Sequence, residues 1–220
     1  MNWAERFGDA TFGFLQERPY PVASPASVEA VQQIVQACAD ENWRVLPLGQ
    51  GSSFPPNFAL RSERVFAVIT SRLRDVERLP NGRMLCGPGV PVQKLIVTEQ
   101  LVERKTIGGL LCGVGDAVTR SAARSFWQLV HSVELLDSKG QVMALAGPAS
   151  PQYLLGASAA MLLESRGKSG IVIGVEFAAD ELPFELGRKS LLSGQSEQLP
   201  YAVSRQVSNR QADTLSLFDW

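Results

Sequence analysis

The sequence predicts a fold that mixes α-helices with β-sheets, and three observations support this. A helical pattern of apolar residues covers residues 27–40 and lies between two extended segments, residues 18–22 and 44–48. Apolar runs joined by tight turns at residues 80–82 and 137–140 predict two β-hairpins. With 220 residues, 45% of them hydrophobic, the chain is long enough for one large domain or two small ones.

Charge and cysteine content narrow the function. The formal net charge is -1, without blocks of like charge, which argues against binding nucleic acid or an anionic membrane. The three cysteines have spacings of neither a zinc site nor a disulfide framework, which favours a reducing compartment. Neither a membrane span nor a secretory leader is evident in the sequence. We therefore expect a cytoplasmic protein whose partners are small molecules or other proteins.

The first part of the chain predicts a strand, a helix and a strand. Residues 1–19 can form a short amphipathic helix, and the prolines that follow favour extended chain. Ser27 is a suitable N-cap for the helix that runs to Asp40. After the strand at residues 44–48, residues 65–69 are almost wholly apolar, as in a strand covered on both faces. The predicted buried stripe of the helix consists of Val28, Val31, Ile34, Val35 and Cys38.

The middle of the chain predicts a hairpin and a helix. Residues 76–79 and 84–86 flank Asn81 and Gly82, and Asn-Gly between apolar runs is a strong hairpin signal. Residues 92–96 then begin one apolar face of a helix.

The last part predicts a second hairpin and a final strand. Residues 130–136 alternate as in a half-buried strand, and residues 141–145 pair with them through a turn. A helical pattern begins at Pro151, and residues 169–177 form the last strong strand. From residue 181 onward we expect an extended or partly disordered segment.

The loop after the strand at residues 44–48 is the first candidate ligand site. It holds two glycines and two hydroxyl side chains, so several backbone N–H groups can point toward one place, which suits a phosphate or pyrophosphate. The alternative is a tight turn without a ligand, because Gly-x-Gly after a strand is often no more than that. The candidate residues are Pro47, Gly49, Gln50, Gly51, Ser52 and Ser53.

The second candidate site is the segment of residues 105–115, which has four glycines in eleven residues. Its other residues, such as Ile107, Leu110 and Cys112, are too apolar for a solvated loop. The pattern favours a backbone that passes close to a flat or bulky buried ligand, with a glycine-rich surface loop as the alternative.

These motifs, in this order and at these intervals, resemble the FAD-binding domain of the vanillyl-alcohol oxidase (PCMH) type. Within that family the chain is most similar to the FAD-binding subunits of bacterial glycolate oxidases. The resemblance extends over roughly residues 20–180. The matching segments are residues 47–53, 84–90, 106–109 with 112–113, 133–140 and 167–172.

The resemblance implies an α+β fold of two α/β subdomains with FAD in the cleft between them. Residues 1–180 would form the FAD-binding domain, with subdomains at about 20–90 and about 91–180, and residues 181–220 a C-terminal extension. Residues assigned to FAD by the resemblance are Pro47, Gly49, Gln50, Gly51, Ser52, Ser53, Pro88, Gly89, Thr106, Ile107, Gly108, Gly109, Cys112, Gly113, Gly170, Ile171 and Val172.

The sequence also departs from the family. Members that attach FAD covalently often do so through a histidine in the first loop, where this chain has Gln50 and Ser52, so we expect noncovalent FAD. The only histidine, His131, lies in an alternating strand, and we expect it to be structural. Only roughly 40 residues follow Phe177, so we expect the family's C-terminal cap domain, which carries most substrate contacts, to be absent.

The leading functional hypothesis is an FAD-dependent oxidoreductase subunit acting on CH–OH groups. Its flavin would accept a hydride from a small 2-hydroxy acid such as glycolate, or relay electrons within a complex of oxidase subunits, which could also hold the chain at a membrane surface. The alternative is a non-catalytic FAD-binding or assembly subunit that needs a partner for substrate binding. An NAD domain is disfavoured because Gly49-Gln-Gly51 is not followed by a third glycine or at once by a helix, and because no acidic residue stands about 20 positions on at the end of a strand.

Catalytic residues stay unassigned at this stage, because no acid/base pair or metal-ligand cluster stands out in the sequence. Arg120 and Arg124 could face a carboxylate substrate, although a surface role is favoured. Cys112 is expected to be a small packing residue, because nothing charged is evident nearby to stabilise a thiolate.

Overall fold

Two β-sheets and three α-helices make up the part of the chain that the computed structural model describes, namely residues 11–15, 18–49, 64–94, 105–112, 117–151, 153 and 170–177. The strands are β1 (Thr11–Leu15), β2 (Arg18–Ala23), β3 (Arg44–Leu48), β4 (Val65–Ile69), β5 (Val76–Arg78), β6 (Met84–Cys86), β7 (Val130–Leu136), β8 (Val142–Ala146) and β9 (Ile171–Phe177). The helices are α1 (Val28–Asp40), α2 (Ile107–Leu111) and α3 (Ala117–Trp127), with short 3-10 turns at Thr70–Arg72 and Val92–Lys94. The predicted mixture of helices and sheets is confirmed.

The first sheet has the strand order β1-β2-β4-β3. β4 pairs in parallel with β2 on one side and with β3 on the other. The predicted helix at residues 1–19 is wrong where it can be compared, because β1 forms an antiparallel hairpin with β2. Thr11, Phe12 and Phe14 favour strand, and Gly13 weakens a helix, so pairing with β2 prevails. Residues 1–10 and 16–17 lie outside the described ranges.

Helix α1 forms as predicted and packs against residues of both sheets. The Ser27 hydroxyl caps its first turn by accepting the N–H of Ala30 at 3.2 Å. Its buried stripe packs in one core with residues of β3 and β4 and with residues of β7 and β9. The Gln32 side chain also donates to the carbonyl of Gly140, at 2.8 Å, beyond the end of β7. Buried residues of α1 are Val31, Ile34, Val35, Ala37 and Cys38.

The second sheet is antiparallel throughout, in the order β5-β6-β9-β7-β8. Both predicted hairpins are confirmed, since β5 pairs with β6 and β7 with β8. β9 is the last described strand, yet it occupies the centre of the sheet between β6 and β7. Its pairing with β7 contains two irregularities, between Val130 and Ser132 and between Glu134 and Leu135.

Helices α2 and α3 complete the second hydrophobic core against this sheet. The rings of Phe126 on α3 and Phe177 on β9 meet edge to face, with centroids 5.4 Å apart. The Trp127 indole N–H donates to the carbonyl of Leu111 at 3.1 Å, which ties the end of α3 to the end of α2. Fully or almost fully buried residues of the two helices are Ile107, Leu110, Leu111, Ala123, Phe126 and Trp127.

Three further predictions can be placed only in part. The predicted helix beginning at residue 92 starts as a 3-10 turn, Val92–Lys94, and its continuation lies outside the described residues. The helical pattern from Pro151 and the segment of residues 181–220 also fall largely or wholly outside them. The subdomain boundaries therefore stay a prediction. Among the helices that the structure describes, none has the length and apolar character needed to span a membrane.

Candidate functional site

Three candidate segments lie next to one another where the structure describes them: Gly49 at the start of the first glycine loop, the turn after β6, and the segment around Thr106. Gly49 follows directly on β3, the strand that contains Pro47, and Gly89 lies in the turn after β6. Thr106 directly precedes α2. The predicted site residues outside the described ranges are Gln50, Gly51, Ser52, Ser53 and Gly113.

Gly49 and Thr106 are in direct contact. A Cβ atom placed on Gly49 would lie 2.8 Å from the Thr106 hydroxyl oxygen and 3.7 Å from the Cα atom of Gly109. The space beside Gly49 is thus filled by α2, and only a residue without a side chain fits there unchanged. The carboxyl end of β3 therefore meets the amino end of α2.

The segment around Thr106 is bound in turn to the turn after β6. The N–H of Gly108 donates to the carbonyl of Pro88 and the N–H of Ile107 to that of Val90, both at 2.9 Å. These backbone bonds hold the turn after β6 and the segment around Thr106 side by side.

Thr70 contacts both the turn after β6 and the end of β3, so the contacts among these segments form a closed set. A Cβ on Gly89 would lie 2.5 Å from the Thr70 carbonyl oxygen, so the two backbones touch. The buried Thr70 hydroxyl donates to the carbonyl of Leu48, at 3.2 Å, which leads back to Gly49. We call this closed set of contacting residues the contact ring. It consists of Leu48, Gly49, Thr70, Pro88, Gly89, Val90, Thr106, Ile107 and Gly108.

Thr70 was not predicted as part of the site. Its only signal in the sequence is a hydroxyl residue placed directly after the continuous apolar strand β4. Since β4 pairs in parallel with β3, its carboxyl end comes close to Leu48 and Gly49. That neighbourhood depends on the strand order, which local sequence does not specify.

The backbone N–H groups at the start of α2 are already used within the protein. Those of Ile107 and Gly108 donate to the carbonyls named above, and that of Gly109 donates to the Thr106 hydroxyl at 3.3 Å. Ile107 is fully buried, whereas Gly109 and Cys112 keep partial exposure. This segment therefore offers a ligand mainly a wall of small residues, and its N–H groups are occupied within the protein.

The cysteine on this wall is not poised for reaction. Burial raises the pKa of Cys112 to about 12 and does the same for Cys86, at the end of β6. Both are therefore neutral thiols near pH 7.

The motif at residues 170–172 contacts the rest of the candidate site through the hydrophobic core. Gly170 directly precedes β9, and a Cβ placed on it would lie 2.6 Å from the carbonyl oxygen of Leu136. Val172 shares the hydrophobic core of α2. Ile171 belongs instead to the core around α1. The start of β9 thus packs against both α2 and α1.

A separate polar cluster lies on the second sheet around Glu176. The Ser132 hydroxyl donates to Oε2 of Glu176 at 2.6 Å, and Nη1 of Arg83 donates to Oε1 at 3.2 Å. Asn81 adds a weaker bond to Oε1 at 3.4 Å. Burial acts to raise the pKa of Glu176, but the hydrogen bonds from Ser132, Arg83 and Asn81 outweigh it and lower that pKa overall.

His131 completes this cluster. Nη1 of Arg83 also lies 3.1 Å from Nδ1 of His131, and because a guanidinium can only donate, Nδ1 must accept. The ring proton is then on Nε2, which is buried and has no hydrogen-bond partner among the described residues. Burial and the Arg83 charge lower the pKa of His131 more than Glu176 raises it, so the ring is neutral at pH 7. These contacts support a structural role.

The described residues contain no candidate metal site, and the two arginines of α3 lie at the surface. In those residues, three or more histidine, cysteine, aspartate or glutamate side chains nowhere come together in a group able to hold a metal ion. Arg120 and Arg124 are both exposed on α3.

The described wall suits an extended cofactor such as FAD. The contact ring contains no ionisable side chain, and Gly49 and the neighbouring Gly109 are partly exposed at its edge. A flavin dinucleotide needs a surface of this kind, largely apolar and shaped by backbone. The residues present thus fit the group that the sequence predicts.

Comparison with known proteins supports the same conclusion. Residues 19–146 match the family described as FAD binding domain. A solved alkyldihydroxyacetonephosphate synthase is similar with a TM-score of 0.55 and 18% identity, over 74% of this chain and 32% of that chain. A berberine bridge enzyme variant, in complex with (S)-reticuline, has a TM-score of 0.52 and 14% identity, over 76% of this chain and 35% of that chain.

A third similar structure is a Phl p 4 variant described as a glucose oxidase, with a TM-score of 0.50 and 17% identity, over 71% of this chain and 34% of that chain. No curated protein sequence matches the chain. The chain spans about a third of the length of these solved structures. At such identities the likeness is one of fold.

Proposed function

Because the chain belongs to the FAD binding domain family, matched over residues 19–146, we propose that it holds FAD noncovalently as the flavin-binding part of an oxidoreductase acting on CH–OH groups. The observation that supports this best is the contact ring, which gathers three separate glycine motifs into one neutral surface. The FAD-binding domain would extend over residues 1–180.

Each part of the site has a proposed task. The loop with Gln50, Gly51, Ser52 and Ser53 would supply the N–H and hydroxyl donors for the pyrophosphate, since the donors at the start of α2 are already used. Gly109 and Cys112, at the partly exposed edge of α2, would form the wall along the ring system. When bound, FAD supplies the hydride acceptor. The remaining proposed contacts are Pro47, Gly49, Pro88, Gly89, Thr106, Ile107, Gly108, Gly113, Gly170, Ile171 and Val172.

The residues at the candidate attachment positions support noncovalent binding. The first loop has Gln50 and Ser52 where a histidine would be needed. Cys112 has a pKa of about 12, so its thiol is not deprotonated near pH 7 and is a poor nucleophile toward the flavin ring.

The substrate is proposed to be a small 2-hydroxy acid such as glycolate. The sequence resemblance to glycolate oxidase subunits motivates this choice. We further propose that partner oxidase subunits share in substrate binding. We propose a cytoplasmic location, with attachment at a membrane surface through those subunits.

A second candidate is a non-catalytic FAD-binding or assembly subunit. It is favoured by the contact ring, which contains no side chain able to take up or release a proton during hydride transfer.

Flavin content and flavin reduction test the proposal. The full chain is purified, stripped of any flavin, mixed with FAD and gel-filtered; comigration of yellow colour with protein is expected. Acid precipitation should release all FAD into the supernatant, whereas yellow precipitated protein would contradict noncovalent binding. A chain that takes up no FAD overturns the proposal.

Anaerobic glycolate then separates the two candidates. Bleaching of the flavin absorbance by glycolate supports the enzyme. Dithionite is the control that shows the bound flavin to be reducible. A flavin that dithionite bleaches but glycolate does not, even with partner subunits present, supports the non-catalytic subunit.

A further inference from the structure

We propose that His131 is a proton-dependent switch that controls how the β5–β6 hairpin is fastened to β7 and β9. In its neutral form, the imidazole ring accepts a hydrogen bond from Arg83. In its protonated form, the ring donates to Glu176 instead, and Arg83 is displaced toward solvent. The switch does not depend on FAD binding, so it goes beyond the proposed function.

A bulge in β7 brings two consecutive side chains to the same carboxylate. The partners of Val130 and Ser132 on β9 are consecutive residues, so His131 is an extra residue on β7. Consecutive side chains of a regular strand point to opposite faces, but a bulge re-aims one of them. Consequently the Ser132 hydroxyl lies 2.6 Å, and Nδ1 of His131 3.6 Å, from the same Oε2 atom of Glu176.

One nitrogen atom of Arg83 contacts both the ring and the carboxylate. Its Nη1 lies 3.1 Å from Nδ1 of His131 and 3.2 Å from Oε1 of Glu176. Arg83 belongs to the turn between β5 and β6, whereas the other two residues belong to β7 and β9. This nitrogen therefore fastens the hairpin to both of those strands.

Protonation of the ring is incompatible with this arrangement. A protonated imidazole has two N–H donors and no acceptor, and a guanidinium also has donors only. Nδ1 of His131 and Nη1 of Arg83 would then be two donors of positively charged groups, facing each other across 3.1 Å. Their repulsion is strong in a partly desolvated site. One of the two side chains must therefore move.

Exposure indicates that Arg83 is the side chain that leaves. It is 32% exposed, whereas the side chains of His131 and Glu176 are only 12% and 14% exposed. The backbone of His131 is also held, because the N–H of Gly147 donates to its carbonyl at 2.7 Å. The ring needs only to close the 3.6 Å gap to Oε2 in order to donate from Nδ1. The charge of Arg83 is thus replaced, beside Glu176, by the charge of the ring.

The surroundings of the ring place this exchange on the acidic side of neutrality. Burial and the charge of Arg83 lower the pKa of His131 from its ordinary 6.5, and Glu176 acts in the opposite direction. The other charged residue of β7 is Glu134, whose carboxylate lies beside Gly174. Residues 142–150, which include β8, contain no ionisable side chain. The charged residues of β5, Glu77 and Arg78, are exposed.

Nitrogen-15 NMR of the full, untagged chain tests the neutral form. The sequence contains one histidine, so every imidazole signal belongs to His131. At neutral pH we expect the tautomer with its proton on Nε2 and with Nδ1 unprotonated. A proton on Nδ1 at neutral pH would overturn the proposal, because Arg83 could not then donate to the ring.

The mobility of Arg83 tests the exchange itself. Rotation of its guanidinium about the Nε–Cζ bond, measured by NMR, should become about tenfold faster as the pH falls through the midpoint of His131, since a hydrogen bond to a charged group is worth about that factor. The exposed Arg78 in the same hairpin is the reference and should not change. Unchanged rotation of Arg83 through the midpoint overturns the switch, because a merely buried histidine would titrate without moving Arg83.

Charge-removing variants identify the groups that set the midpoint. Arg83→Gln keeps an amide donor near Nδ1 but removes the positive charge, so the titration midpoint of His131 should rise. The matched control Arg78→Gln should leave it unchanged. Glu176→Gln should lower the midpoint, because the protonated ring loses its anionic partner; if this variant does not fold, the two arginine variants decide. Equal midpoints in Arg83→Gln and Arg78→Gln refute the pairing of Arg83 with the ring.

Discussion

Replacing Gly89 by alanine should strain the contact ring at its tightest backbone contact. The new Cβ would lie 2.5 Å from the carbonyl oxygen of Thr70 and 2.7 Å from that of Ser71. Carbon–oxygen contacts in proteins are normally roughly 3.3–3.6 Å long, so one of the two segments would have to move by about 0.8 Å.

Neither segment can move freely. The Gly89 N–H donates to the carbonyl of Leu73 at 2.8 Å, which ties the glycine to the chain it would have to leave. Thr70 is tied to β3 through its hydroxyl. Overpacking of this kind costs typically 1–3 kcal/mol, and with both sides held we expect about 2–3 kcal/mol. For a domain of this size that corresponds to a fall of about 5–10 °C in Tm.

Urea unfolding of the apoprotein measures this cost, with Gly82→Ala as the matched control. Gly82 has a φ of 81° in the hairpin turn between β5 and β6, and a Cβ there meets nothing within 4 Å. Its replacement by alanine strains only the backbone, at about 1–2 kcal/mol. If Gly89→Ala is no more destabilising than Gly82→Ala, the contact between the Gly89 turn and Thr70 is looser than these distances imply.

Three further predictions concern other regions. Ser27→Ala removes the N-cap of α1 and should lower the free energy of unfolding by about 1 kcal/mol, measured by urea denaturation. Burial and the charge of Arg83 lower the pKa of His131 below its ordinary 6.5, so its contribution to stability is complete above that pH and is lost as the pH falls below it. Replacing His131 by glutamine should therefore flatten the unfolding free energy plotted against pH in that window; an unchanged slope would contradict the buried neutral ring. Cys86, which is fully buried and has a pKa raised to about 12, should react with a thiol reagent at mildly alkaline pH only after unfolding, and rapid labelling of Cys86 in the native chain would argue against its burial.

Much of the fold was predictable because its signals are local. The continuous apolar run of β4 and the Asn81-Gly82 turn each specify one element within a few residues. β1 was missed because its five residues become a strand by pairing with β2, a tertiary effect. α3 was missed because its apolar pattern in the sequence is weak. Among its described side chains only Ala123, Phe126 and Trp127 are buried, and polar residues such as Arg120 and Arg124 lie between and before them.

The candidate site shows the same division between local and tertiary information. The sequence marked Gly49 as part of a candidate phosphate loop and, through the resemblance, both Gly49 and Gly89 as FAD contacts. The structure shows that the backbone at each of these glycines lies against the protein itself, at Thr106 and Thr70 respectively. A glycine motif thus predicts a close approach, but the partner depends on the strand order and on where the two sheets meet.

The position of β9 has a consequence for how the chain folds during synthesis. β1 to β4 are all complete by residue 69, yet the core around α1 also needs Leu136, Ile171 and Ile173 from the second sheet. β6 and β7 have no common neighbour until β9 inserts between them. Both cores therefore stay open until residues 171–177 have left the ribosome, and closing them requires contacts between residues far apart in the chain, which is slow. Until then the edges of β6 and β7 are exposed to other chains.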